Sequence, residues 1–299
     1  MRGLTWDRVT SILLIAPSVI AILVFVYGFI GWTGWVSLAR WDGMLQDLTL
    51  VGLRNYQKLF DAERFQIDLH NTVTFTLLFL ASSLVIGFLL AVLLDQRIRS
   101  EGLFRSVYLF PMALSFIVTG VVWRWLLNPG SRELGSVGVN LLFDKAGLGL
   151  LKSGWYTDPS IGIKAVAIAA TWQMSGYVMA MYLAGMRGIP EDLREAARVD
   201  GASELEIYRH IIAPLLQPIT LSAVIILGHI SLKIFDLVSA MTGPGLGFCT
   251  DVPAYFMFDT TFRGNHFSQG ASIAIILLLS VAALIIPYLV YTARTEVQR

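Results

Sequence analysis

Long runs without a charged side chain alternate with short polar connectors along this sequence. Residues 9–39 carry no charge over 31 positions. A hydrocarbon core of about 30 Å takes about 20 residues of helix. On that measure six spans are predicted. The first lies in 9–39 and crosses to about Gly34, with Pro17 inside it, because a proline in lipid is tolerated where neighbours satisfy the freed backbone. The others are 71–94, about 103–127 with Pro111 inside, about 161–186, from 214–218 to about 241, and about 267–292. Trp32, Trp35 and Trp41 come at the end of the first span, and Trp123 and Trp125 near the end of the third, as an interfacial aromatic belt would. The connectors are 40–70, the charged turn 95–101, a glycine-rich loop 128–159 with a short apolar piece at 137–143, and 242–265. The pattern predicts an all-α integral membrane protein of six transmembrane helices, with residues 1–299 forming a single transmembrane domain.

Composition supports that reading. Of 299 residues 56% are apolar and 14% charged, against about 25% charged in soluble domains. Mean hydropathy is +0.67. A net charge of +1 gives no broad attraction to nucleic acid. Cys249 is the single cysteine, which excludes an internal disulfide framework and a multi-cysteine metal site. The first apolar run far exceeds a signal-peptide core of roughly 7–15 residues, so an uncleaved first span is expected. Six spans place both termini on one side. That side carries 11 Lys and Arg, including Arg2, Arg97 and Arg299, and the other carries 10, including Arg132. The positive-inside rule, read by closeness to span ends, makes the termini cytoplasmic.

One segment cannot cross a membrane. Residues 191–214, EDLREAARVDGASELEIYRHIIAP, hold six acidic residues between two apolar runs. Pro190, Glu191 and Asp192 suit a helix N-terminus. Leu193, Ala196, Ala197 and Val199 offer a small apolar face. Asp200-Gly201 reads as a helix end, and Ser203 with Glu206 fits a capping box. Two short helices about Gly201 are predicted. A charge run ordinarily just faces water. Here Glu195-Ala-Ala197, Gly201, Ile211 and Pro214 resemble the EAA signature of ATP-binding-cassette importer permeases, with Ala213 where that pattern has Leu.

That resemblance implies a type I importer permease fold in which about 187–213 forms cytoplasmic coupling helices docked on an ATPase, through Glu195, Ala196, Ala197, Asp200, Gly201, Ala202 and Pro214. Residues 52–56 (GLRNY), Asn71-Thr72, 104–111 (FRSVYLFP), 123–129 (WRWLLNP) and Phe235-Asp236 are similar to the carbohydrate branch of these permeases, although 242–247 (TGPGLG) departs from its usual loop. The implied partners are a second homologous permease, an ATPase dimer holding ATP and Mg2+, an extracytoplasmic solute-binding protein, membrane lipid and a sugar. This chain is expected to hold no cofactor or metal and to sit in the cell (inner or plasma) membrane.

Polar side chains in spans tend to face a bundle interior or a solute pathway. Ser115, Thr119 and Trp123 recur every four residues. Gln173 and Tyr177 share a face beside Trp172, while Thr171 and Ser175 share another. His229, Lys233 and Asp236 fall at i, i+4 and i+7, with Ser222 a heptad earlier. Hydrogen-bonding groups with flat apolar faces suit a sugar, so Trp172, Gln173, Tyr177, His229, Lys233, Asp236, Ser115 and Thr119 are the candidate pathway residues. Similarity to maltose-type permeases implies that Tyr177, His229 and Lys233 line the pore. The plainer alternatives are Ser and Thr bonding their own helix, Lys233 snorkelling to pair with Asp236, and the tryptophans as interfacial anchors.

No GxxxxGK[ST] phosphate loop occurs, so ATP hydrolysis belongs to another chain. The expected function is alternating-access import of a sugar, and the 251–270 region looks like that of permeases for a glucose- or mannose-like monosaccharide. A secondary transporter would show inverted repeats and paired ionisable groups near the bilayer centre. A membrane enzyme using His229 and Asp236 would need a nucleophile or metal cluster. Neither signal is present.

Overall fold

The apolar runs become helices because a backbone in hydrocarbon must satisfy its own hydrogen bonds. The computed structural model describes residues 6–96, 98–131 and 135–297. Arg2, Arg97, Arg132 and Arg299 of the charge count lie outside them. In chain order the helices are α1 (Trp6–Ile22), α2 (Phe29–Ser37), α3 (Arg54–Asp61), α4 (Glu63–Asp95), α5 (Glu101–Leu109), α6 (Phe116–Leu126), α7 (Gly138–Lys145), α8 (Gly162–Arg187), α9 (Glu191–Val199), α10 (Glu204–Ile207), α11 (Ala213–Leu215), α12 (Gln217–Leu232), α13 (Asp236–Met241), α14 (Pro253–Phe258) and α15 (Phe267–Val297). Among the described residues there is no strand, and Ala39–Leu50 and Ser131–Gly135 are isolated bridges.

Three unbroken stretches are long and apolar enough to cross a membrane: Ser11–Ser37, Glu63–Asp95 and Phe267–Val290. Two further apolar helix pairs are sharply bent, Glu101–Ala113 with Phe116–Leu126 and Glu204–Leu215 with Gln217–Leu232, and the number is five where each pair is one span. The remaining predicted span is α8. Its 26 residues reach about 39 Å at 1.5 Å per residue, and with Lys164, Thr171, Gln173, Ser175 and Tyr182 it is more polar than the other long helices.

Three predicted boundaries are corrected. The helix that carries the second span begins at Glu63, eight residues before the expected 71, because the polar stretch 63–70 continues it. The third is no straight helix. Its halves meet at 100° where Pro111 opens a 3-10 turn and Leu114 and Ser115 are extended. The fifth bends by 64° ahead of Pro218, near the start of α12, and its helix stops at Leu232 before α13 begins at Asp236.

Two compact units emerge. One takes the chain up to Ala62 with Met257–Leu278, the other Glu63–Phe256 with the chain from Leu279. In the first, a π-helical turn (Leu23–Gly28) links α1 to α2, and the exposed flank of this long helix is almost wholly apolar. The end of α2 is tied by Asn55, whose amide donates to the carbonyls of Ser37 (2.8 Å) and Ala39 (2.7 Å), while the Tyr56 hydroxyl donates to Ser37 Oγ at 2.7 Å. The terminal carbonyls of a helix need such partners. The Asn-Tyr pair of the 52–56 motif therefore has a structural task.

In the second unit α8 is the centre, packed by α4, α5, α6, α12 and α13. Helices approach closely in lipid through small residues. Ala165, Ala169, Ala170 and Gly176 of α8 are buried. A Cβ on Gly87 of α4 would stand 2.6 Å from Val178 Cγ1. Hydrogen bonds fix the bundle: Ser82 Oγ to Thr171 Oγ1 (2.7 Å), Thr76 Oγ1 to Ser231 Oγ (3.0 Å) and Tyr182 to Thr220 (2.9 Å).

Candidate functional site

The polar segment folds as two helices about a glycine. Pro190, in an extended conformation, caps α9, with Glu191 and Asp192 in its first turn and Arg198 in its last. Both ends suit the helix dipole. Gly201 then adopts φ +85°, open to glycine at no steric cost. The predicted capping box is present: Ser203 Oγ accepts from the Glu206 amide, and the Glu206 carboxylate accepts from the Ser203 amide at 2.8 Å. A π-helical turn (Tyr208–Ile212) and α11 lead to α12.

The apolar face is placed differently from the expectation. Ala197 points inward with Arg194, each 9% exposed. Leu193, Ala196 and Val199 face outward, as does Leu205 on α10. Glu195, Asp200, Gly201 and Pro214 are also exposed, and Ala202 is half-buried. Arg194 Nη1 donates to Asp95 Oδ2 at 2.6 Å and Nη2 to the Met186 carbonyl at 3.2 Å. The Tyr208 hydroxyl donates to the same Asp95 oxygen at 2.9 Å. Burial works against the Arg194 charge, and the Asp95 carboxylate more than offsets it, holding the guanidinium above its ordinary value. Arg198 joins α9 to α10 through Glu204 (2.8 Å) and also lies 3.6 Å from Glu191 of its own helix. The pattern missed Asp95 and Tyr208, because nothing in their spacing joins them to residue 194.

The predicted pathway residues divide. Gln173 is buried, and its amide nitrogen donates to the Leu114 carbonyl at 2.8 Å. Ser115 does not continue a helical face with Thr119. It is the N-cap of α6, and its hydroxyl accepts from the Val118 amide at 3.3 Å. Thr119 is fully buried, and the Trp123 and Trp172 rings meet edge to face at 5.9 Å. Trp172 also lines an apolar groove of about 740 Å3 with Tyr108, Ser82, Thr171 and Ser175. Tyr177 and His229 are half-buried, and His229 Nδ1 is buried without a hydrogen-bond partner. The heptad of His229, Lys233 and Asp236 is broken, because Lys233 ends α12 and Asp236 starts α13. Both are exposed, and among the described residues they form no ion pair with each other.

A buried polar cluster lies at the other end of α4. Asp251 accepts from Arg64 Nε at 2.7 Å, and Arg64 is stacked 4.7 Å from the Phe248 ring centre and 4.4 Å from that of Phe256. Asn71 donates to the carbonyls of Phe248 and Asp251 at 2.9 and 3.0 Å. Asp68, fully buried, shares a helix face with Arg64 and Asn71. The spacing 64, 68, 71 was readable in the sequence once 63–70 are taken as helix.

Residues 83–293 match the family described as "Binding-protein-dependent transport system inner membrane component". The chain belongs to that family. It is thus a permease component of a membrane transport system and not an enzyme. A probable ABC transporter permease of Pyrococcus horikoshii is 42% identical, covering 95% of this chain and 96% of that one. The xylose/arabinose import permease of Haloferax volcanii is 37% identical over 89% of this chain and 82% of its own. In fold, this permease resembles a chain of a bacterial ABC transporter involved in import of the acidic polysaccharide alginate, with a TM-score of 0.76 and 20% identity, covering 94% and 96% of the two chains.

Proposed function

We propose that this permease is one subunit of an ATP-driven sugar importer, and that α9 and α10 are the coupling helices on which a separate ATPase acts. One observation carries the coupling reading: the pair is anchored inward by Arg194, while Leu193, Ala196, Val199 and Leu205 face outward around Glu195. An exposed apolar patch rimmed by charge suits a protein partner. The ATPase dimer would hold ATP and Mg2+, and its closure would carry the permease between inward- and outward-facing states. The family description supports an extracytoplasmic binding protein as the solute donor. A second homologous permease would complete the pathway, and the termini would lie in the cytoplasm with α9 and α10.

Within the bundle, Trp172, Gln173, Tyr177, His229, Lys233, Asp236, Ser115 and Thr119 remain the residues proposed to act along the solute path. The buried, unpartnered His229 Nδ1 best supports a polar ligand there. The sugar proposed is a glucose- or mannose-like monosaccharide. A pentose is the second reading, supported by the xylose/arabinose relative.

The test is reconstitution in proteoliposomes with the ATPase, partner permease and binding protein, followed by ATP-driven uptake of labelled glucose, mannose, xylose and arabinose. Glu195→Ala and Gly201→Asp should weaken ATPase association and abolish uptake. Unchanged association and uptake in both variants would overturn the coupling assignment. Silence of Tyr177, His229 and Lys233 substitutions would overturn the pathway.

A further inference from the structure

Asp95 is the last residue of α4, and no basic residue accompanies it in that turn. A carboxylate there faces the negative end of the helix dipole. Local helix energetics therefore do not explain its presence, and tertiary contacts do. Its Oδ2 accepts from Arg194 of α9 and from Tyr208 of the π-turn after α10. Arg194 also reaches the Met186 carbonyl near the end of α8. The pair is almost dry, with side chains 10% and 6% exposed. A buried ion pair is weak evidence of net stabilisation, since desolvation offsets much of the attraction. What it does supply is a fixed geometry between the elements it joins.

The surroundings suit a moving joint. Arg198 of α9 pairs with Glu204 of α10 at 2.8 Å, and Gly201 is the turn between the two helices. Arg187, the last residue of α8, pairs with Glu101 at the start of α5 at 2.8 Å. An open polar pocket of about 900 Å3 lies alongside, lined by Asp95, Glu101, Arg187, Arg194, Arg198 and Tyr208 among others. Further along, α4 is bonded to α8 through Ser82 and to α12 through Thr76. A displacement of α4 therefore reaches α8 and α12, which carry Trp172, Gln173, Tyr177 and His229 of the proposed pathway.

We infer that Asp95 is the positioning residue through which movement of α9 and α10 is delivered to α4, with Arg194 and Tyr208 as its two levers. This inference rests on the proposed docking of α9 and α10 on an ATPase. A charge at the tail of α4 is then the point where work done by nucleotide enters the transmembrane bundle.

Hydrogen exchange on the whole reconstituted complex, with and without ATP and vanadate, tests it without knowledge of the solute. In wild type, trapping should change exchange both in 191–207 and in the last turns of α4. In Asp95→Asn the change in 191–207 should persist while that in α4 falls at least about fivefold, the lower range of measured coupling between sites. Tyr208→Phe, which keeps the ion pair, should lose part of the α4 response, and Asp95→Glu should restore part of it. If Asp95→Asn does not assemble, the Tyr208→Phe variant decides. A full α4 response in the variants that assemble overturns the inference and leaves the docking reading standing. Equal loss of protection in both segments without nucleotide assigns Asp95 a merely structural role and also overturns it. No response of 191–207 in wild type removes the docking reading, and the inference with it.

Discussion

The side-chain amide of Gln173 donates to the main-chain carbonyl of Leu114 across 2.8 Å, so a residue of α8 secures the break between α5 and α6. A carbonyl freed inside an apolar bundle needs a partner. Gln173→Leu should therefore lower stability by about 0.5–1.5 kcal/mol, the net worth of a hydrogen bond, because the bond is only part-buried. Thermal unfolding of the purified protein in detergent measures it. Should Gln173→Leu instead alter solute selectivity at unchanged unfolding temperature, Gln173 belongs to the pathway alone.

Gly87→Ala would drive a Cβ to 2.6 Å from Val178 Cγ1 and 3.0 Å from the Met179 amide nitrogen. Overpacking of this kind destabilises by about 1–3 kcal/mol. Gly31→Ala in α2 meets nothing within 4 Å and should be neutral or mildly stabilising, because alanine favours helix by up to about 1 kcal/mol. The same unfolding assay should separate the two by several degrees.

Arg64→Met keeps the apolar bulk between Phe248 and Phe256 but leaves the fully buried Asp251 without its 2.7 Å cation. Removing one member of a buried pair costs about 3–5 kcal/mol. The double variant Arg64→Met/Asp251→Asn should recover part of that loss. A double variant no better than the single would show that the ion pair is not what holds the segment to α4.

Ser203→Ala removes the N-cap of α10 and with it the reciprocal bond to Glu206. The expected loss is about 1 kcal/mol of local helix stability. It should appear as faster hydrogen exchange at Glu206 and Ile207, with α9 unaffected.

In the first connector the Thr49 hydroxyl and amide, with the Arg40 guanidinium, hold Asp47 down from an ordinary 3.8 to about 2. A depressed carboxylate contributes its full stability above the unfolded value and loses it as pH falls through the folded one. Exchange protection of the 40–53 connector should thus be flat from neutrality to about pH 5 and fall between about pH 4 and 2, a window set by those two values. Asp47→Asn should flatten the acid limb.

The apolar segments were legible because long runs poor in charge favour helix in lipid, and Pro190, Gly201, Ser203 and Glu206 announced α9 and α10 through local rules. Their orientation was not legible. Leu193, Ala196 and Val199 look like a core face until Arg194 is seen to take the inward position, and the charge that makes this possible sits 99 residues earlier at Asp95. The break at Leu114 depends on Gln173, 59 residues later. The interruption at Lys233 turned an apparent heptad into the ends of two helices. Periodicity reports what one helix presents. It says nothing of which distant group satisfies a broken backbone or a buried charge.

The polar composition of α8 has a consequence for biogenesis. Helices partition into a bilayer one by one when their own side chains favour it. Ser11–Ser37 and α4 meet that condition and are made first, whereas α8 falls short alone. Its Gln173, Thr171 and Tyr182 are accommodated by Leu114, Ser82 and Thr220, the last of which is synthesised after it. The helix at the centre of the bundle is thus the one whose own side chains favour the bilayer least, and its polar groups are met by neighbours on either side of it in the chain.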